Sequence, residues 1–192
     1  MEFRYLKIYA FTDASHKQSD SAISGNLILL GSSRSGHCVP LYWKSKTIAR
    51  VCHSAKAAET RSMSKVLEIS RFLAQQLQTL LLVSHIPIKI YTDSKPLLES
   101  VGSTSQVADV SLRNSIYEFK ESLRDGSVES YSWLAGDEDM PADVFTKECR
   151  WSEQLEMIVL WNEFRYASNE DNVVKFVEGE IKIGNLVNKR GK

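Results

Sequence analysis

The sequence predicts an α/β fold, and three observations carry that reading. Tyr5 to Asp13 and Ile88 to Asp93 each alternate two sets of side chains at a period of two, the pattern of extended strands. Between them, Ala58, Val66, Ile69, Leu73, Leu77, Leu80 and Leu81 recur at helical steps, and no Gly or Pro interrupts the run from Ser54 until Pro87. That run describes one long amphipathic helix. Strand-like runs also follow it, so strands and helices interleave along the chain.

The first strand sets Leu6, Ile8, Ala10 and Thr12 against Lys7, Tyr9, Phe11 and Asp13. After polar turn material at His16 to Ser21, Gly25 to Gly31 is a short apolar run and Cys38 to Ser45 a third strand. The Ser-Ser-Arg-Ser-Gly turn between them suits a hairpin. Glu59 falls in the early turns of the long helix among Ala57, Ala58 and Ser62, small neighbours that leave its carboxylate approachable. Ile88, Ile90 and Thr92 form the fourth strand, which delivers Asp93 to its end. Ser94 then suits a helix cap and Pro96 a first turn, where its missing N–H costs nothing, so a helix is predicted over Leu97 to Val101. An acid there is a site geometry, because ligands of open α/β sheets bind beyond the carboxyl ends of parallel strands.

Val107 to Leu123 reads as another amphipathic helix and Val128 to Leu134 as a fifth strand. Ala135 to Met140 is an acidic loop, and Pro141 opens a predicted helix that holds Asp143. Further on, Leu155, Ile158, Val159, Trp161 and Phe164 form an apolar helical stripe that has to be buried somewhere. Val173 to Ile183 suggests a hairpin around Glu178 to Glu180, and Asn188 to Lys192 a frayed end. The expected division is therefore one domain over 1–150 and a C-terminal extension over 151–192, which should be dispensable for chemistry.

Composition narrows the function classes. The 192 residues are 43% hydrophobic and 25% charged, which suits one globular domain with an appendage. No apolar run approaches the roughly 20 residues of a membrane span, and the start lacks a signal-peptide pattern, so a soluble, unsecreted protein without a membrane partner is expected. Cys38, Cys52 and Cys149 are far apart and form no Cys-x-x-Cys pair, which points to reduced structural thiols rather than disulfides or zinc ligands. The formal net charge is zero, whereas an autonomous nucleic-acid binder usually carries a basic excess. A grip on nucleic acid has to be local or shared with a partner.

Four acids stand at comparable places: Asp13 in the first strand, Glu59 in the long helix, Asp93 at the end of the fourth strand, and Asp143 in the following helix region. With their surroundings they resemble the ribonuclease H family, and most of all the domain that closes the Pol polyprotein of Ty1/copia-type retrotransposons. The motifs are Phe-Thr-Asp-Ala-Ser around Asp13, Tyr-Trp-Lys-Ser-Lys at 42–46, and Ser-Ala-Lys-Ala-Ala-Glu ending at Glu59. Tyr-Thr-Asp-Ser around Asp93 and Pro-Ala-Asp-Val-Phe-Thr-Lys around Asp143 complete the set. The likeness spans about residues 5–148. It implies a ribonuclease H-like fold: a five-stranded mixed sheet, three strands antiparallel and two parallel, with helices on both faces.

It also implies an activity, endonucleolytic hydrolysis of the RNA strand of an RNA/DNA hybrid, leaving a 5′-phosphate and a 3′-hydroxyl. Such hydrolysis needs an activated water and a stabilised leaving oxygen, which two divalent ions about 4 Å apart can supply. Hard oxygen ligands suit Mg²⁺, with Mn²⁺ as a substitute. The resemblance assigns Asp13 to both ions, Glu59 and Asp93 to one and Asp143 to the other. A carboxylate cluster without metal repels itself, so at least one raised acid pKa is expected. Ser15 and Ser94, each near a carboxylate, could donate to phosphate or sugar hydroxyls, and Lys46, in a basic patch with Lys44, Arg50 and Lys56, could meet phosphate.

Departures from the broader family are the absence of a histidine from Gly-Asp-Glu-Asp-Met before Asp143 and of a basic protrusion at Gly102 to Ala108. The partner implied is a reverse transcriptase domain of the same polyprotein, which would lend affinity by effective concentration. The setting implied is cytoplasmic, inside a virus-like particle where the element is intact. The competing expectation is a non-catalytic or domesticated module that uses the fold to bind nucleic acid or protein. Retention of all four acids argues against it, since a fold needs none of them clustered.

Overall fold

The computed structural model describes residues 3–16, 21–105, 107, 109–134, 140–147, 153–164 and 173–184. Strands β1 (Leu6–His16), β2 (Ala22–Ser32) and β3 (Cys38–Thr47) lead into helix α1 (Ala55–Leu81). Strand β4 (Ile88–Thr92), helices α2 (Lys95–Gly102) and α3 (Arg113–Arg124) and strand β5 (Val128–Trp133) follow. The chain ends with a short helix α4 (Glu153–Glu156), which continues as a π-turn over Met157–Trp161, and with strands β6 (Val173–Val177) and β7 (Glu180–Ile183).

All seven strands belong to one mixed sheet in the order β3-β2-β1-β4-β5-β6-β7. The β1–β2–β3 meander is antiparallel, β4 and β5 run parallel to β1, and β6 and β7 return antiparallel. The sheet thus has seven strands where five were expected. Val173 and Val174 pair with Ser132 and Tyr131 of β5 and are buried, so the late hairpin covers an edge that would otherwise offer unpaired backbone groups. Its turn uses Glu178 and Gly179 with φ of 54° and 87°, the positive pair that matches the twist of flanking strands. At the opposite edge, the register shifts where Leu29 meets Pro40. A proline donates no ladder hydrogen bond, and an edge strand tolerates that.

Alternation along the strands divides the core in two. Ile8, Ala10, Ile28, Ile88 and Ile90 face α1, α2 and α3, where Val66, Leu67, Leu97, Val101, Ile116 and Phe119 are fully buried. Ser54 caps α1, its side chain accepting from the Ala57 N–H at 3.1 Å. Tyr9, Phe11, Leu27, Leu29 and Tyr91 face the other way and are covered by Met140, Ala142, Leu155, Ile158 and Phe164. Phe11 stacks on Tyr91 at 4.9 Å between centroids, and Phe164 meets Tyr9 at 4.8 Å and Phe11 at 5.3 Å. The apolar stripe after residue 150 is therefore split: Leu155, Ile158 and Phe164 are buried, while Val159 and Trp161 are exposed.

Three local expectations change. The helix read over Val107 to Leu123 begins only at Arg113, after a 3₁₀ turn over Val110–Leu112 that the Asp109 side chain caps. Pro141 is followed only by a single 3₁₀ turn, Asp143–Phe145, in place of a helix. Ser94 precedes α2 but makes no side-chain cap; its carbonyl accepts from Leu97 and Leu98, and its own N–H donates to Thr92 Oγ1 at 3.1 Å. Cys38 and Cys52 are buried free thiols, and Cys149 lies outside the described residues. Among the described residues no helix is long and apolar enough to cross a membrane.

Candidate active site

The site forms where two parallel strands end side by side. Thr12 of β1 pairs with Thr92 of β4, the last register contact between them, so the next residue on each strand is an aspartate. Asp13 and Asp93 are brought together by register alone. Asp13 is also the cross-strand neighbour of Gly25 on β2, while β4 stops at Thr92 and leaves the sheet open beyond. Glu59, in the second turn of α1, reaches this gap from the helical side, and its Oε1 accepts the Ala14 N–H at 3.2 Å. One carboxylate oxygen from each of Asp13, Glu59 and Asp93 lies within 4.8 Å of the others.

A buried hydroxyl network fixes α1 against β1 beneath the cluster. Ser62 Oγ lies 2.7 Å from Thr12 Oγ1 and 2.6 Å from Ser24 Oγ, and it donates to the Asp13 carbonyl at 3.1 Å. Asn26 donates to Ser24 at 2.9 Å. Ser62 lies three residues beyond Glu59 on the same helical face, so this network sets how far the Glu59 carboxylate projects.

Asp143 arrives on the 3₁₀ turn. That turn packs against β2 at Gly25, where a Cβ would stand 2.7 Å from Thr146 Cγ2 and 2.8 Å from the Ala142 carbonyl oxygen. Only a glycine admits the close approach. Ser45, beside Gly25 on β3, donates to the Phe145 carbonyl at 2.5 Å, and the Thr146 hydroxyl donates to Asp13 Oδ2. Lys147 completes the turn: its ammonium lies 3.0 Å from Asp143 Oδ1, 3.5 Å from Asp13 Oδ1 and 3.9 Å from Asp93 Oδ2.

Crowded burial raises the proton affinity of Glu59, Asp93 and Asp143. Glu59, 7% exposed, is pushed up to about 9, first by loss of water and then by the charges of Asp93 and Asp13; the Ala14 N–H and Lys147 oppose the shift. Asp93 is raised to about 6 by burial and by Asp13, against the pull of Lys147. Asp143 is raised by burial, with Lys147 opposing. Burial pulls the Lys147 ammonium down, but Asp13, Asp143 and Asp93 outweigh it, and its pKa rises. A raised acid was expected of a metal-free carboxylate cluster.

Of the seven site residues singled out in the sequence, Asp13, Glu59 and Asp93 form the compact trio, and Asp143 joins them through Lys147. Ser15, two residues after Asp13 on β1, shares its side of the sheet and is half-buried. Ser94 is half-buried at the start of α2. Lys46 is exposed on β3 opposite Ser24, whose hydroxyl meets α1, so it stands on the helical side of the sheet, away from Asp13. Sequence reasoning passed over Gly25, Ser62, Thr146 and Lys147. Thr146 and Lys147 lay inside the Pro-Ala-Asp-Val-Phe-Thr-Lys motif, and the four-residue step from Asp143 to Lys147 was the available signal.

No family profile matches the chain, and no curated protein does. Solved structures do. The chain is similar to a ribonuclease H1 from the archaeon Halobacterium salinarum, with TM-score 0.53 and 16% identity over 73% of this chain and 94% of that one. It is similar to the N-terminal ribonuclease H domain of a Mycobacterium tuberculosis protein, with TM-score 0.52 and 15% identity over 73% and 91%. A ribonuclease H1 isolated from compost, solved with an RNA/DNA hybrid, gives TM-score 0.51 and 14% identity over 74% and 96%. The fold is therefore ribonuclease H-like, and the acid trio sits at the carboxyl ends of its two adjacent central strands.

Proposed function

We propose that the chain is a metal-dependent endonuclease that hydrolyses the RNA strand of RNA/DNA hybrids. The observation that carries this reading is the convergence of Asp13, Glu59 and Asp93 within 4.8 Å, with Asp143 on the adjoining turn. Burying acids this closely costs stability, and nothing in the packing of an α/β sheet requires it.

The donor set fits hard divalent cations. All four side chains offer carboxylate oxygen, and among the described residues no histidine or cysteine joins the trio and Glu59 Oε2 is buried without a hydrogen-bond partner. Asp13, Glu59, Asp93 and Asp143 would hold Mg²⁺, or Mn²⁺ in its place. Two such ions, when bound, supply an activated water and charge relief at the leaving oxygen. The residues themselves orient and select. Ser15 and Ser94 flank Asp13 and Asp93 and can hydrogen-bond a ribose 2′-hydroxyl, the group that separates RNA from DNA. Lys46, exposed at the end of β3, would meet a backbone phosphate away from the scissile bond.

The motifs around the four acids support a finer reading, a ribonuclease H domain of a Ty1/copia-type Pol polyprotein. It would work beside a reverse transcriptase domain of that polyprotein, in a cytoplasmic particle. The zero net charge supports a tethered partner, because this chain brings little non-specific affinity of its own. The test is cleavage of a labelled RNA/DNA hybrid by the chain with Mg²⁺ or Mn²⁺, alongside Asp93→Asn. The amide keeps the shape and loses the charge, so the folded variant should be inactive. Wild-type cleavage by folded Asp93→Asn refutes the assignment, and a wild-type chain that binds hybrid and never cuts it favours the non-catalytic module.

A further inference from the structure

Lys147 stands where a cation is needed. A single ammonium lies within 4 Å of three carboxylates that come from three separate parts of the chain: Asp13 on β1, Asp93 after β4 and Asp143 on the 3₁₀ turn. Its backbone is anchored, since its N–H donates to the Asp143 carbonyl at 2.8 Å and the turn before it is seated on Gly25. The side chain is 41% exposed, so the head has an open path to water. An anchored backbone with a half-exposed head describes a tethered ion.

We propose that Lys147 is a built-in counter-ion that occupies the carboxylate cluster until divalent ions displace it, so that metal binding is an exchange and Lys147 sets its affinity. The inference rests on the reading that these acids hold divalent cations. The physical reason is competition for one set of oxygens. Asp13 Oδ1 and Asp143 Oδ1 face the ammonium at 3.5 Å and 3.0 Å, and an ion drawn to these oxygens has to displace the like charge already held there. Displacing it forfeits partly exposed ion pairs, which together are worth about one order of magnitude in affinity. The exchange also protects the fold, because without metal the ammonium offsets the repulsion between the acids.

The test is Mn²⁺ binding to the full chain by calorimetry, for wild type, Lys147→Met and Lys147→Arg. Methionine keeps the apolar stem and removes the charge, so it should bind Mn²⁺ about tenfold tighter and unfold more readily in chelator. Arginine keeps the charge and should hold affinity near the wild-type value. Equal or weaker binding by Lys147→Met overturns the proposal, since a lysine that only held the turn in place would weaken the site when lost. If Lys147→Met folds only with metal, competition against a chelator in Mn²⁺ reads the same affinity, and tighter binding again supports the exchange. Failure to fold with or without Mn²⁺ overturns it. If neither wild type nor variant binds Mn²⁺, the metal reading itself has failed; if both bind equally, only the role of Lys147 has.

Discussion

Glu59→Gln should stabilise the metal-free protein while removing its activity, and the gain should grow with pH. The Glu59 carboxyl is raised from 4.5 to about 9 by burial and by its neighbours. Between those values the folded state holds a proton that the unfolded state has released, so stability is lost as pH rises through this window. At neutral pH, 2.5 units above the unfolded pKa, the deficit is about 3 kcal/mol at most, from 1.36 kcal/mol per unit. Glutamine is nearly isosteric with the protonated acid and carries no such deficit. It should therefore be more stable by up to about 3 kcal/mol near pH 7, a rise of roughly 6–12 °C in Tm for a domain of this size.

Near pH 5, close to the unfolded value, most of this deficit is gone, and the two proteins should converge. Urea unfolding in chelator near pH 5, 7 and 8.5, with circular dichroism to confirm the fold, measures the gap. Asp93, raised to about 6, leaves a residual pH dependence in both proteins below that value. Added Mg²⁺ should stabilise the wild type more than the variant, because the lost carboxylate is one of the proposed ligands. A stability gap that does not change with pH, or a variant less stable near pH 8.5, refutes the reasoning that like charge and burial dominate at Glu59.

Three further outcomes are open to direct measurement. Gly25→Ala places a Cβ 2.7 Å from Thr146 and 2.8 Å from the Ala142 carbonyl, so the turn bearing Asp143 has to retreat. A loss of about 1–3 kcal/mol in urea unfolding and weaker Mn²⁺ binding are expected, and wild-type values for both would remove this glycine from the site. Truncation after Arg150 deletes Leu155, Ile158 and Phe164, which cover Tyr9, Phe11 and Tyr91. At about 1.5–3 kcal/mol for each buried side chain, the loss approaches the whole stability of a domain. Non-cooperative melting is expected, and a sharp transition near the full-length Tm would show the second core layer to be expendable. Binding of the isolated chain to an RNA/DNA hybrid should be weak, since only local basic groups can meet phosphates, and should fall further between 50 and 200 mM salt because those contacts release counterions; filter binding that is tight and flat with salt would contradict it.

The chain's own periodicities determined most of the elements and placed Asp13, Glu59 and Asp93 on or beside them. Period-two alternation ending at Asp13 and at Asp93, and the helical run after Ser54 that carries Glu59, are local patterns, and local patterns are what backbone geometry imposes directly on sequence. The motif around Asp143 was visible too, but its conformation was not: a proline before a helical-looking run leaves both a helix and a single turn open, and contact with Gly25 decides for the turn. Pairing is likewise non-local. The hairpin over Val173–Ile183 was legible as a hairpin, yet joining it to β5 depends on Tyr131 and Ser132, about 40 residues earlier, finding Val174 and Val173. Lys46 shows the reverse case. Its charge and nearness to the motif suggested the site, and only the register with Ser24 reveals that it stands on the other side of the sheet from Asp13. Lys147 was quoted in a motif without a role, because a lysine four residues after an aspartate is ordinary helical salt-bridge spacing. Its position between three carboxylates exists only after β1, β4 and the 3₁₀ turn have met, since two of its partners, Asp13 and Asp93, lie far back along the chain.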